Sequence, residues 1–574
     1  MRCRRSCASE RDLLTAPRDP DAGSALTRWL WVALLLLAAA LRLSGADWDG
    51  GLAAHPDERY LVDVALATPL WGDPTLAAPE FPYGHFPLYV LRLLTALAPG
   101  ADPLYAGRLL SGLLGVLLVA AAGALGRCLA GRRGGLLAAA LLACAPFALQ
   151  QARFFTVDVP GAVCVSLALL LALRRRFGGA GAFWGLAVAC KASLIWGGAP
   201  LLVAIFCLSG ASPAGETPPP GKARAVRRVA SLLLGAALSF VLASPWAVLR
   251  PAAAWRGPWI QSLMVAGQLD FPYTRQFVGT LPFLYPLAQL GLWGMGPAAT
   301  LTGLLGLLGA AGRWRRLSPP ARLLWGGTLM GFVALAGGYV KFPRYLLPLY
   351  PLWGAWAAAF LVRGGEGTPA EGQGRKGKVA RRIAIGAVVL STALLGAAQL
   401  SLYVRPHPWE TASRWLYANL PEGAQIAVEH WDHPLPIPLP EGSAERFVQR
   451  SLPVMDEDTP EKLAQLEAAL KTSDVIVWAS ARGYGALARQ PERYAATLAW
   501  YARVMTERQL LAFGRCPRLG PLALSDDPLA DAGLPTPLTL AERCGTPLAL
   551  RLPHLDESFR VYDAPMVLLA LRAP

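Results

Sequence analysis

The stretch AAHPDERYLV, residues 53 to 62, places a histidine, an aspartate, a glutamate and an arginine close together, directly after an apolar run long enough to cross a bilayer. A carboxylate at a membrane mouth can take a proton from an attacking nucleophile. Asp57 is the candidate base, with Glu58 beside it. A second acid, Asp158 in RFFTVDVP, falls where one apolar helix ends and the next begins. Lys191 in AVACKASLIW is the one lysine inside an apolar span, and Lys341, Arg344 and Tyr345 cluster in KFPRYLLPLYP. Together with Arg59, these cations are candidates to hold an anion such as a phosphate at the headgroup level. Each has a plainer reading. Asp158 caps the helix that follows it, with Pro160 in the first turn; Lys191 snorkels to the interface; Lys341 and Arg344 touch lipid headgroups. His55 next to Asp57 is a weak metal candidate, since a lone His-x-Asp is poor evidence for a ligand set, and a divalent metal stays open without being required.

The elements that must position these groups are membrane helices. Of 574 residues, 54% are hydrophobic and only 16% charged, in long Leu/Ala/Gly/Val runs, which excludes a soluble enzyme of this size. The net charge of +16 does not point to nucleic acid, because residues 1–404 hold 37 Lys+Arg against 17 Asp+Glu while 405–574 hold 17 against 21. Basic clusters at Arg2 to Arg5, Arg127 to Arg133, Arg174 to Arg176, Lys222 to Arg228, Arg313 to Arg316 and Arg375 to Arg382 mark inside loops. Between them run about eleven apolar spans: 28–46, 105–126, 134–150, 159–173, 180–193, 194–210, 229–249, 281–311, 321–340, 343–362 and 383–403. The pair at 180–210 reads either as two short helices or as one re-entrant excursion. On this topology the tail 1–27 is cytoplasmic, the first outer loop is 47–104, the membrane domain is 28–404, and 405–574 lies outside, as do all six histidines. The first span is read as a retained anchor, since no small-residue cleavage site follows it. The Pro/Gly-rich stretches 211–222 and 364–378 are linkers.

The exported region alternates helical and strand patterns: HPWETASRWLYANLP and EKLAQLEAALK are helical, QIAVEHW and DVIVWAS are strands. That is a small α/β domain. Glu429, His430, Asp432 and His433 crowd the end of one strand, where prolines follow, and read as loop residues before metal ligands. Of nine cysteines only Cys516 and Cys544 fall in this domain, and they can pair in an oxidising compartment.

The order of a first span, an outside PDER loop, an FPLYVLRLL segment, GRLLSGLLGVLL, RFFTVDVP and a late RYLLPLYP resembles the GT-C membrane glycosyltransferases, in particular the family 39 group of protein O-mannosyltransferases and aminoarabinose transferases. The likeness covers nearly all of 28–362, and HPWETASRW, EHWD and DESFRVYDAP extend it toward the C-terminus. It implies a polytopic α-helical GT-C-like fold with a C-terminal extracytoplasmic α/β domain. It also implies a polyprenyl-phosphate sugar donor and inverting transfer at the extracytoplasmic face of the plasma membrane. Within that resemblance the catalytic acid of the first loop maps onto Asp57, the second acid onto Asp158, and the late Arg-Tyr motif onto Arg344 and Tyr345. The acceptor (protein, lipid or glycan) stays open, and no nucleic-acid partner is expected. Two other classes compete: a transporter, which fits Lys191 and the many spans but lacks internal repeats, and a non-catalytic membrane scaffold presenting 405–574.

Overall fold

The computed structural model describes residues 25–208, 221–363 and 375–572. Most of the N-terminal tail and of the two linkers therefore lies outside the described residues. Among the described residues, five helices are long and apolar enough to cross a membrane: Ala25–Leu43, Pro103–Cys144, Lys222–Ala243, Pro343–Arg363 and Lys376–Leu400. Shorter apolar helices at Phe86–Leu97, Asp158–Leu173, Phe177–Cys190, Ala192–Cys207 and Pro297–Ala311 complete the bundle. The chain is a multi-pass membrane protein.

Several expected spans are broken in ways the sequence explains. Pro103–Cys144 is two helices joined at Ala130 and Gly131, where Gly131 takes φ +67° in the GRRGG run, a conformation an L side chain resists. The 180–210 region is two helices, Phe177–Cys190 and, after one 3-10 stretch, Gly198–Cys207; the extended residue between them is Lys191. The expected span 281–311 is interrupted by a π-helical turn at Leu290–Gly294 and by Gly296 at φ +84° before Pro297 starts the last segment. Such breaks re-aim side chains and are tolerated where neighbouring helices satisfy the freed backbone. Leu141, Leu142, Trp353, Trp356 and Ala357 belong to one apolar core that runs through the bundle and on to Leu524, Leu555 and Phe559 of the C-terminal domain.

That domain contains two sheets. The larger has strand order β2-β1-β3-β8-β4, with β1 (Gln425–Glu429) parallel to β2 (Val448–Leu452) and β3 (Val475–Trp478), and β8 (Met566–Leu571) antiparallel to both β3 and β4 (Gln509–Gly514). The smaller is β5 (Arg518–Leu519), β6 (Leu522–Ser525) and β7 (Leu548–Arg551). The helices at Pro408–Asn419 and Pro460–Thr472 match their patterned stretches, with Pro at the start of each where a missing N–H costs nothing. Cys516 and Cys544 are joined by a disulfide, closing the segment that carries β5 and β6.

The domain is tied to one end of the bundle through buried polar groups. Gln150 Nε2 donates to Asp563 Oδ1 (2.9 Å), Tyr403 Oη to Asp563 Oδ2 (2.6 Å), and Arg515 Nη1 to the carbonyl of Trp48 (3.2 Å). It therefore covers the end of the bundle from which the HPDER loop emerges.

Candidate active site

His55 ends an extended approach and Pro56 opens a helix that runs to Ala67, with Asp57 and Glu58 in its first turn. Acids there meet the positive end of the helix dipole, a reason for both that needs no catalysis. Their environments nevertheless differ. Glu58 is fully buried and accepts from Arg108 Nε (2.9 Å), Arg108 Nη2 (2.8 Å) and the Phe155 N–H (2.8 Å). The same guanidinium reaches Asp49 through two further bonds of 2.7 and 2.8 Å and the Ala46 carbonyl at 3.0 Å. Both carboxylate oxygens of Glu58 are thus engaged by protein donors and buried. It joins the first loop to the long helix at Arg108 and to the segment before Asp158, so the catalytic role expected of Glu58 gives way to a structural one.

Asp57 points the other way. Its carboxylate lies 3.0 Å from Arg344 Nη1 and retains 24% side-chain exposure, with the Tyr83 hydroxyl as a further hydrogen-bond partner. Burial, the largest single influence, pushes its pKa up, but Arg344, the Tyr83 hydroxyl and the other nearby groups together outweigh it and hold the carboxyl below the usual range, so it is ionised at neutral pH.

The second acid makes a parallel pair. Asp158 is the first residue of its helix, but its side chain caps no backbone N–H; instead Oδ1 accepts from Lys191 Nζ at 2.8 Å. The capping role is thus replaced by an ion pair. Lys191 Nζ also stands 4.3 Å from the centre of the Tyr345 ring, and the Arg344 guanidinium 4.6 Å from that of Phe342. The two pairs, Asp57–Arg344 and Asp158–Lys191, come from four separate elements.

Gly84 shows how they are brought together. Its N–H donates to the Cys190 carbonyl (3.0 Å), and a Cβ there would overlap the Ala189 carbonyl. Only glycine lets the loop carrying Tyr83 lie against the break that carries Lys191.

Three expected residues fall outside this group. Lys341 is buried and donates to the carbonyls of Gly338 (3.4 Å) and Tyr339 (2.5 Å) of its own loop, among the rings of Phe277 and Tyr339, so it does not face Asp57 or Asp158. Arg59 is exposed on the far side of its helix turn. His55 is buried with its ring between Phe154 (4.6 Å) and Tyr562 (4.4 Å); burial holds its pKa at about 3, so it is a neutral packing group at neutral pH. Among the described residues, the group of three or more side chains spaced to hold a metal does not include it.

Other contributors were not anticipated. Arg108 sits in an apolar run, where a lone arginine signals a buried acid partner. Arg482 and Tyr562 come from the C-terminal domain: Arg482 donates to the Trp431 carbonyl (3.1 Å) and to Tyr562 Oη (3.2 Å) and pairs with Glu557 (3.3 Å). Tyr562 in turn packs its ring, tilted, against His55, two residues from Asp57. Nothing in the local spacing of these residues indicates that the domain reaches back to the first loop.

Residues 84–249 match the family model described as dolichyl-phosphate-mannose-protein mannosyltransferase. The matched stretch is less than a third of the chain and lies in its membrane-helical part. The description is that of a transferase, not of a transporter or a scaffold. The match includes Asp158 and Lys191 but begins after Asp57. Among curated proteins, none matches this chain in sequence. In shape it is similar to the Archaeoglobus fulgidus oligosaccharyltransferase AglB in complex with an inhibitory peptide and a dolichol-phosphate, at 16% identity and a TM-score of 0.47 over 83% of this chain and 72% of that one. It is likewise similar to ArnT from Cupriavidus metallidurans bound to undecaprenyl phosphate, at 16% identity and a TM-score of 0.46 over 86% of this chain and 97% of that one. Likeness at this level assigns no residue roles.

Proposed function

We propose that the chain transfers a sugar from a polyprenyl-phosphate donor to an acceptor at the extracytoplasmic membrane face, with inversion at the anomeric carbon. The observation that carries the reading is the pairing of two carboxylates with two cations on four different elements at one end of the bundle, with Asp57 and Arg344 both keeping some exposure. Inverting transfer needs this division of labour. The acceptor's nucleophilic atom bonds to the anomeric carbon as the bond from that carbon to the phosphate oxygen breaks. The acceptor's proton passes to Asp57, and the polyprenyl phosphate leaves with its negative charge held by cations.

Arg344 and Lys191 supply those cations, and Tyr345 lies under Lys191 as its aromatic support. Without donor, Asp57 and Asp158 neutralise them. When a phosphate engages Arg344, Asp57 loses its strongest stabilising partner while its burial remains, and its pKa rises toward that of a more capable base. Donor binding thereby prepares the base. Asp158 keeps Lys191 oriented and is a positioning residue on this reading, while Arg59 and Lys341 are left out of the phosphate site.

Orientation belongs to the same reading. The basic loops place the N-terminus in the cytoplasm and the C-terminal domain outside, at the end of the bundle where the paired groups lie. The donor site is tested by equilibrium binding of purified undecaprenyl phosphate and dolichyl phosphate to the detergent-solubilised protein. Arg344→Ala is expected to weaken binding about 10-fold or more, the size of a lost charge-assisted contact of roughly 1.5–3 kcal/mol. Arg59→Ala should leave it unchanged. Equal binding by wild type and Arg344→Ala would remove Arg344 from the phosphate site.

A further inference from the structure

A second polar cluster lies in the C-terminal domain, apart from the groups used above. Asp526 follows β6, Asp531 ends the short helix Pro528–Asp531, and His554 stands in the loop after β7. One ligand atom from each lies within 4.8 Å of the other two. His554 Nδ1 is 3.5 Å from Asp531 Oδ2 and 3.9 Å from Asp526 Oδ2. Those spacings are long for hydrogen bonds. The shorter matches the edge of a tetrahedron whose metal–ligand bonds are about 2.0–2.2 Å, which is roughly 3.3–3.6 Å, and the longer exceeds it by a few tenths of an ångström.

Several polar atoms around this space lack hydrogen-bond partners. Asp526 is 0% exposed, and its Oδ1 makes no hydrogen bond; neither ring nitrogen of His554 makes one. Two carboxylate oxygens of the cluster are also held by protein donors. Asp526 Oδ2 accepts from the Leu555 N–H (3.0 Å) and faces Arg560 Nε (3.3 Å), and Asp531 Oδ1 accepts from Arg551 Nη2 (2.6 Å). Partners of this kind orient ligating carboxylates in metal sites. Asp531 is exposed, which gives an ion a way in from solvent.

We propose that Asp526, Asp531 and His554 bind a divalent transition-metal ion of the zinc type, for which one imidazole nitrogen and two carboxylate oxygens are a suitable donor set. The ion is structural. His554 belongs to a loop fastened to the bundle, where its carbonyl accepts from Gln289 Nε2 (3.0 Å), the Asp556 N–H donates to Gln289 Oε1 (3.0 Å) and the Glu557 N–H to Gln276 Oε1 (3.1 Å). The same loop continues to Tyr562 against His55. Tying His554 to Asp526 and Asp531 fixes the small sheet, this loop and the bundle to one another. The inference does not depend on the transfer reaction.

The test uses the full-length protein in detergent, stripped with a chelator, reloaded with Zn²⁺ and desalted, with metal content measured by elemental mass spectrometry and thermal unfolding followed in parallel. One zinc per chain is expected, with a higher unfolding temperature in the zinc-loaded protein. His554→Ala and the exposed-site variant Asp531→Asn should each lose both the ion and the zinc-dependent shift, while Asp57→Asn should keep them. If the wild type retains no zinc and unfolds at the same temperature with and without it, the cluster is a histidine held between two carboxylates only and the proposal fails. It fails equally if both variants bind zinc as the wild type does.

Discussion

Asp57 and Glu58 are neighbours in the chain, and replacing each by its amide separates the roles the structure gives them. Glu58 accepts two bonds from Arg108 and one from the Phe155 N–H, with both side chains essentially unexposed. Glu58→Gln keeps the volume, removes the charge, and turns an amide N–H toward guanidinium donors it cannot accept from. Breaking a buried ion pair outright costs about 3–5 kcal/mol. Here Arg108 keeps both bonds to Asp49, so the loss is nearer that of one or two charge-assisted hydrogen bonds, about 2–4 kcal/mol. Asp57→Asn removes a partly exposed pair, and its effect on stability should stay within about 1–2 kcal/mol. The assay is denaturant unfolding of both purified variants in detergent beside transfer rate per folded molecule. Glu58→Gln is expected to be the less stable and, where folded, the more active. A Glu58→Gln protein as stable as wild type yet as inactive as Asp57→Asn would refute the division between the two acids.

Two more expectations follow from position and burial. A reporter fused after residue 404 should be extracytoplasmic and one inserted within 364–378 cytoplasmic; both on one side would overturn the proposed orientation. Glu429 is buried in the C-terminal domain with Tyr501 as its hydrogen-bond partner, and burial, only partly opposed by that bond, pushes its pKa from 4.5 to about 8. The folded state therefore holds this proton more tightly than the unfolded chain. Stability should fall between those two pH values, by up to roughly 1.4 kcal/mol per pH unit, and level off above. Glu429→Gln should flatten the profile in urea unfolding at several pH values; an unchanged slope would show that another group is responsible.

Much of the fold was legible because its determinants are local. Apolar runs, basic loop clusters and the switch to helix and strand patterns after residue 404 are properties of short windows, and they indicate a bundle with an α/β domain. The breaks were harder, since a π-helical turn at Leu290–Gly294 or an extended residue at Lys191 depends on neighbours that satisfy the backbone. The same limit applies to the site. Asp57, Asp158, Lys191 and Arg344 stood out as charges where charge is expensive. Which acid meets which base did not, because Asp57–Arg344 and Asp158–Lys191 are long-range pairs. Lys341 looked like a third cation of the same kind, and only its own loop's carbonyls show why it is turned away.

The central claim, that Asp57 is the base and Arg344 holds the leaving phosphate, meets its most direct test in a reconstituted reaction with purified polyprenyl-phosphate sugars and the matching acceptor. Single-turnover rates are measured for wild type and Asp57→Asn at saturating donor. The account predicts intact folding and donor binding for Asp57→Asn with a transfer step slower by about 10²–10⁴-fold, the worth of a positioned acid–base group. A well-folded Asp57→Asn protein that turns over as fast as the wild type would contradict it.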